Sequence, residues 1–375
     1  MGQPESRPDS RAPEEGPGGF AQAGLPGSSR PQEGVATSED RAQERHLRPS
    51  SLDEFSGQTA VVANLVLAIE AARERGEALD HLLLSGLPGL GKTTLAHLVA
   101  TTADVHLHEA SAPTLQRAAD LAGLLTRLDS GDVLFIDEIH RIPPAVEEYL
   151  YAAMEDFVID ILIDQGPSAR SVRIDLPRFT LVGATTREGL LSAPLRSRFG
   201  IHERLEPYET DVLACIIRRS AGILGVGVDE DAAVYLAERS RGTPRVANRF
   251  LRRVRDLAQL ESDNHISHAV AAEGLTRIGV DGYGLTRVDR LILTSISRAG
   301  GTPLGLKSIA AAVGEDERTL EDVYEPHLLR SGLLLKTSQG RRLTADAWAV
   351  LGLAPPALDD PGAARAGDGA QDLFA

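Results

Sequence analysis

An α/β domain, then a small helical lid domain, then a C-terminal winged-helix domain are what this 375-residue chain predicts. Three observations carry the prediction. Short apolar runs alternate with helical periodicity over the first half of the folded body. Strand patterning then gives way to amphipathic helices. The last part holds three helical segments and a short pair of β-prone runs. Strands alternating with helices favour a mostly parallel sheet with helices on its faces.

Hydrophobic residues make up 42% of the chain, enough for two or three domains with cores of their own. Residues 1–46 hold six prolines and seven glycines, with Phe20 as their one aromatic residue, and 354–375 read alike. Such segments bury too little apolar area to offset ordering entropy, so both are expected to be disordered tails. The α/β domain is expected over 47–206, the helical domain over 207–280 and the winged helix over 281–353. The single cysteine, Cys215, excludes an intrachain disulfide and a cysteine-based zinc site. The N-terminal residues lack the apolar core of a signal peptide, and no run of about 18 apolar residues is present. A cytoplasmic protein without a membrane partner is expected. A net charge of −15 argues against a general polyanion binder, so any DNA contact requires a local basic surface.

The elements follow in order. In 60–76, Val62, Leu65, Ile69 and Ala72 recur at helical spacing. Buried strands are expected at "HLLLSG", "DVLFIDE" and "RFTLVGATT", a helix at "KTTLAHLVATTA", and a partly exposed strand at "HLHE". Residues 156–179 contain two β-prone runs flanking "GPSAR", which predicts a hairpin. Its apolar residues, among them Ile161 and Leu162, exceed what one buried face needs; they fit a docking element or an ordinary core hairpin. Helices follow at 210–224, 229–242 and 244–260. In the last, Val246, Phe250, Val254 and Leu257 form an apolar stripe with Arg249, Arg252, Arg253 and Arg255 mostly off it.

The chemistry begins at "GLPGLGKT", residues 86–93, a phosphate-binding loop between a strand and a helix. Glycines turn backbone N–H groups toward phosphates, Lys92 reaches the β- and γ-phosphates, and Thr93 ligates Mg2+. Asp137 at the end of "VLFID" can hold the magnesium shell, and Glu138 can activate water. Thr185 or Thr186, after the next strand, can act as a polar sensor of the γ-phosphate, or be solvated at a strand end. Arg245 opens a helix behind Pro244; it folds back onto the phosphates or is a plain helix-start arginine. Arg196 and Arg198 in "APLRSRFG" lie beyond the sheet. They read as a surface pair or as guanidinium groups offered to a neighbouring subunit's nucleotide.

The segments "DHLLLSGLPGLGKTTLA", "GDVLFIDEIHR", "GPSARSVRIDLPRFTLVGATTR", "APLRSRFG", "RSRGTPRVANR" and "EDVYEPHLLRSG" together resemble the RuvB family of AAA+ ATPases, over about 47–353. The resemblance implies a homohexameric motor on duplex DNA that, with RuvA, drives branch migration of Holliday junctions in recombination and repair, with RuvC in the wider assembly. It implies ATP and Mg2+ as cofactors. It places nucleotide contacts on Leu47, Arg48, Gly89, Lys92, Thr93, Thr94, Glu155, Asp156, Phe157, Tyr208 and Arg245, and a finger acting in trans on Arg198. It places RuvA docking on the hairpin. Residues 281–353 hold nine basic and nine acidic residues, but the wing is locally basic through Lys336, Arg341 and Arg342. Lys336, Arg341 and Arg318 are the expected DNA contacts. The family pattern has arginine at the position of Gln339, and often at that of Glu317. Two other readings stand beside this one: a DNA-acting ATPase such as a clamp-loader subunit, and an ATP-switched DNA-binding regulator.

Overall fold

The computed structural model describes Gly2 and residues 45–162 and 171–356; the side chains of Ile161, Leu162 and Ser171 lie outside that description. The expected tails therefore fall outside it too, but for Gly2, residues 45–46 and residues 354–356.

Five parallel strands form the central sheet: β1 (Leu82–Ser85), β2 (Leu107–Ser111), β3 (Val133–Asp137), β6 (Thr180–Thr185) and β7 (Ile201–Arg204), in the order β2-β3-β6-β1-β7. β4 (Val158–Leu162) and β5 (Ser171–Asp175) pair apart from it as an antiparallel hairpin. β1 and β6 are buried at every position, because helices cover both faces of the sheet; such strands read as continuous apolar runs. β2 and β7 lie at the edges and alternate, and β7 was not expected from the sequence. Its four residues, "IHER", carry three polar side chains on a partly solvated edge.

One apolar cluster packs helices Thr59–Arg75 and Lys92–Ala103 on the sheet and continues into the helical domain. A second fills the other face with helices Ala118–Leu125 and Pro144–Glu155 and the start of β4, where Val158 and Ile159 are buried. The helix at 59–75 buries Val61, Leu65, Ile69 and Ala72; Val61 replaces the expected Val62, which is half-buried against the same core. The helical domain comprises Thr210–Ile223, Glu230–Glu238, Pro244–Glu261 and His268–Arg277, with a small parallel pair, β8 (Gly227–Val228) and β9 (His265–Ile266). Arg252, expected off the apolar stripe of 244–261, is buried.

The winged helix has its own core. Helices Arg287–Ser297 and Leu306–Val313 precede a third that starts at Glu317, widens to a π-turn over Leu320–Tyr324 and continues through Glu325–Arg330. The wing is β10 (Leu334–Thr337) paired with β11 (Gly340–Leu343), followed by an unexpected helix, Ala345–Val350. Leu304 pairs with Arg341 as a third rung.

An ion pair locks this domain to the helical domain. Arg241 donates to Asp289 Oδ2 at 2.6 Å, and the Asp289 side chain is fully buried. The same oxygen accepts from the Thr286 backbone N–H and hydroxyl, both at 2.7 Å. Removing one member of a buried pair strands the other charge. Asp289→Ala should therefore cost about 3–5 kcal/mol, read as a lowered denaturation midpoint. An unchanged midpoint would show that Arg241 finds equivalent partners elsewhere.

Candidate active site

Ligands of parallel α/β sheets bind beyond the carboxyl ends of the strands. Here β6 runs between β1 and β3, so the ends of all three converge. β1 leads into the glycine loop, β3 ends at Asp137, and β6 delivers Thr185 and Thr186 between them. Parallel register makes residues far apart in sequence meet at one edge.

The glycines of the loop answer to space as well as to backbone angle. Gly89 has φ +83, and a Cβ there would stand 2.9 Å from Arg245 Cβ. Gly91 has φ +104 and precedes the first turn of Lys92–Ala103 with the Phe55 ring 3.1 Å from where its Cβ would be. The free N–H groups of a helix start favour an anion, and Gly89, Gly91, Lys92, Thr93 and Thr94 all line the cleft that opens there. The loop is a nucleotide-binding site.

Lys92 is buried, and its Nζ donates to the carbonyls of Gly86 at 2.8 Å and Leu87 at 3.0 Å. Burial pulls its pKa down to about 8, against the opposing charges of Glu138 and Asp137. Before nucleotide binds, Lys92 is thus partly deprotonated near pH 8. Phosphate favours the ammonium, so ATP binding should take up protons at pH 8 and above. It should take up none through Lys92 near pH 6.5. Calorimetry of ATP binding in buffers of different ionisation enthalpy reads this directly; equal uptake at both pH values would contradict it.

Asp137 and Glu138 meet the cleft from β3. Burial, and next the Glu138 charge, raise the Asp137 carboxyl above its ordinary range. Glu138 holds a left-handed backbone at φ +52, rare for a bulky residue and a feature of functional sites. Its Oε2 accepts from the Thr186 hydroxyl at 3.1 Å and lies 3.2 Å from His140 Nδ1. The two candidate sensors part here. Thr186 lines the cleft, whereas Thr185 is fully buried, with its Oγ1 2.9 Å from His140 Nδ1. His140 was not singled out in the sequence; desolvation lowers its pKa and favours the neutral ring.

Leu47, Arg48, Tyr208 and Arg245 complete the rim from three separate segments. Tyr208 donates its hydroxyl to Leu90 O at 3.0 Å. Phe55, Ile216, Arg219 and Asn248 also line the cleft and were missed. Arg219 ties the rim together by donating to Leu47 O at 3.0 Å and to Glu54 at 3.2 Å. Adjacent Arg218 turns away to Glu230, and nothing in "IIRRS" distinguishes the two before folding.

Glu155, Asp156, Phe157 and Arg198 are not among the described residues lining this cleft. Arg198 donates to Glu155 at 2.9 Å and to Pro194 O at 2.7 Å, and stacks 4.4 Å over Tyr151. Phe157 packs against His81 and Phe179. Arg196 is exposed. In the winged helix, Arg318 is exposed, Lys336 is half-exposed, and Arg341 is engaged by Glu325 through a bond of 3.0 Å from its Nη2.

Comparison with known proteins accounts for all three domains. Residues 47–205 match the Holliday junction DNA helicase RuvB P-loop domain, 208–281 the RuvB AAA lid domain and 282–352 the RuvB C-terminal winged-helix domain. The chain is 55% identical over 319 residues to the Holliday junction branch migration complex subunit RuvB of Myxococcus xanthus, covering 85% of this chain and 93% of that one. It is 54% identical over 336 residues to the protein of the same description from Salinibacter ruber, covering 89% and 94%. The solved structure of the Thermotoga maritima RuvB Holliday junction branch migration motor superposes with a TM-score of 0.76 at 47% identity, covering 83% of this chain and all of that one. A nucleotide-binding P-loop domain with its own lid and winged helix, all matched along nearly the whole folded body, places this chain in the RuvB family.

Proposed function

We propose that this chain is an ATP-driven motor subunit that assembles as a homohexameric ring on duplex DNA and, with RuvA, drives branch migration of Holliday junctions in recombination and repair. RuvC acting on the same junction and a cytoplasmic location belong to the same reading; no described helix is long and apolar enough to cross a membrane. The observation that carries it is the division of the catalytic set. The cleft holds a phosphate loop and two carboxylates of its own, while Arg198 stands outside it beside Glu155. A site that lacks a guanidinium from its own finger is completed when a neighbouring subunit supplies one.

Each residue then has a task. Backbone N–H groups of the loop and Lys92 hold the phosphates. Thr93 and Asp137 would hold Mg2+, which would supply positive charge against the phosphates. Glu138 takes the proton of a water whose oxygen bonds to the γ-phosphorus, and the bond to the bridging oxygen breaks to release ADP. Thr186 holds Glu138 beside that water and Thr185 steadies His140 behind it. Arg245 of the same chain, and Arg198 with Glu155, Asp156 and Phe157 of a neighbour, face the nucleotide from either side. Leu47, Arg48 and Tyr208 close the rim. The hairpin docks RuvA through Ile161 and Leu162, which stand where β4 leads into 163–170. Lys336 of the wing and Arg318 of the helix that starts at Glu317 meet DNA phosphates, with Arg341 bracing β11 from its place beside Glu325.

The test is a synthetic four-way junction incubated with the chain, RuvA and ATP. Dissociation into duplex products is expected, together with faster ATP turnover on duplex DNA. Stimulated turnover without dissociation would point to a clamp-loader type of machine; turnover indifferent to DNA would point to a switch.

A further inference from the structure

Two cations of the wing, Lys336 and Arg341, are held by carboxylates that one turn of helix presents. The π-turn at Leu320–Tyr324 carries Glu321 and Asp322, and Glu325 follows it. π-turns are uncommon and concentrate at functional sites. On one side of this turn, Lys336 Nζ donates to Glu321 Oε1 at 3.0 Å. On the other, Arg187 of the ATPase domain donates from Nε to Asp322 Oδ1 at 2.8 Å and from Nη2 to Glu321 Oε2 at 3.3 Å. Glu321 is shared between the wing, through Lys336 and more distantly Arg341 at 3.9 Å, and an arginine that directly follows Thr186.

From Arg187 polar contacts run on to the hydrolytic centre. Its backbone N–H donates to Thr185 Oγ1 at 3.0 Å. That oxygen lies 2.9 Å from His140 Nδ1, and the same nitrogen lies 3.2 Å from Glu138 Oε2. Another tie between the winged helix and the rest of the chain, Arg241 with Asp289, is buried. The tie through Glu321 is different: the side chains of Lys336 and Glu321 are 50% and 38% exposed, so water and ions reach them. A phosphate that takes Lys336 removes one cation from Glu321. The charge of the carboxylate then falls more heavily on its remaining cations, Arg187, with Nη2 3.3 Å from Oε2, and Arg341, with Nη2 3.9 Å from Oε1; of these only Arg187 leads to the ATP site.

We propose that Glu321 transmits phosphate occupancy of the wing to the ATP site, with Arg187 as the positioning residue for Thr186 and Glu138. The proposal rests on the DNA-motor reading and deepens it.

The test is Glu321→Gln in the full chain, which keeps the size of the side chain and leaves Asp322 on Arg187. Saturating duplex DNA should speed ATP turnover of the unaltered chain through this route by roughly two- to fivefold, the rate equivalent of a partly exposed ion pair. Glu321→Gln should keep its DNA-free turnover within about twofold and bind duplex at least as tightly, since Lys336 loses its nearer carboxylate and keeps only Glu325 at 3.9 Å, yet lose that stimulation. Coupling between bound ligands is reciprocal. A non-hydrolysable ATP analogue should therefore change the duplex affinity of the unaltered chain, and not that of the variant. A purely structural role would shift both affinities together. Glu321→Asp keeps the charge but shortens its reach, and should lose most of the stimulation. Either variant stimulated like the unaltered chain, with the analogue effect intact, overturns the proposal. An unaltered chain whose turnover ignores duplex DNA removes the DNA reading instead, and this inference with it.

Discussion

Glu138→Gln should leave ATP bound and slow its hydrolysis by about 10²–10⁴, the usual contribution of a general base. The amide keeps the shape of the side chain, so Thr186 can still donate to its oxygen from 3.1 Å in the present geometry. What disappears is the capacity to accept the proton of water. The substitution also removes a charge. Glu138 is the foremost of the neighbours that raise the Lys92 pKa, and it also raises that of Asp137. In the variant Lys92 should titrate below about 8 before nucleotide binds, and Asp137 should move toward its ordinary range. ATP binding should therefore persist at pH 7 but weaken at a lower pH than in the unaltered chain. Single-turnover hydrolysis and equilibrium nucleotide binding, measured on the same preparation, separate the two effects. Near-normal hydrolysis would remove Glu138 from the chemistry.

Arg198→Ala is expected to have the other large effect, a loss of roughly 10³–10⁵ in turnover if its guanidinium serves as other nucleotide fingers do. Nucleotide binding should hold, because Arg198 lies outside the cleft of its own chain and Lys92, Thr93 and Asp137 are untouched. Folding should hold as well. The substitution breaks a partly exposed ion pair with Glu155, and exposed pairs contribute little. A variant that melts early would mean that the stacking on Tyr151, 4.4 Å away, is structural and that the rate loss has a second origin.

The phosphate loop was legible because its chemistry fixes residue types at fixed spacing along one stretch of chain. So were β1, β3 and β6, whose burial on both faces leaves a largely apolar run. The neighbouring valines 61 and 62 show the limit of periodicity: both are apolar, and only packing decides which faces the core. Parts of the site that depend on distant partners were not legible. Arg219 and Arg218 are adjacent and alike, and the fold alone sends one to the cleft and the other to Glu230. Arg341 reads as a free basic residue of the wing until Glu325, on the preceding helix, is seen beside it. Arg187 and Asp322 are 135 positions apart, and no local pattern announces their pairing. Glu155, Asp156 and Phe157 entered through family resemblance alone, since their spacing carries no nucleotide signal.

In the proposed ring, one subunit's finger completes the site of the next. This is tested most directly by mixing two inactive chains, Arg198→Ala and Lys92→Ala, and measuring ATP hydrolysis across a range of ratios. The first retains its phosphate loop, the second its finger. Energy transfer between labelled chains establishes that rings are mixed. Where an Arg198→Ala subunit sits beside a Lys92→Ala neighbour, an intact loop faces an intact finger, and hydrolysis should return. Recovery should be partial, because the other interfaces in the same ring stay defective. Verified mixed rings that remain inactive at every ratio, or full activity in the pure Arg198→Ala protein, would contradict the account.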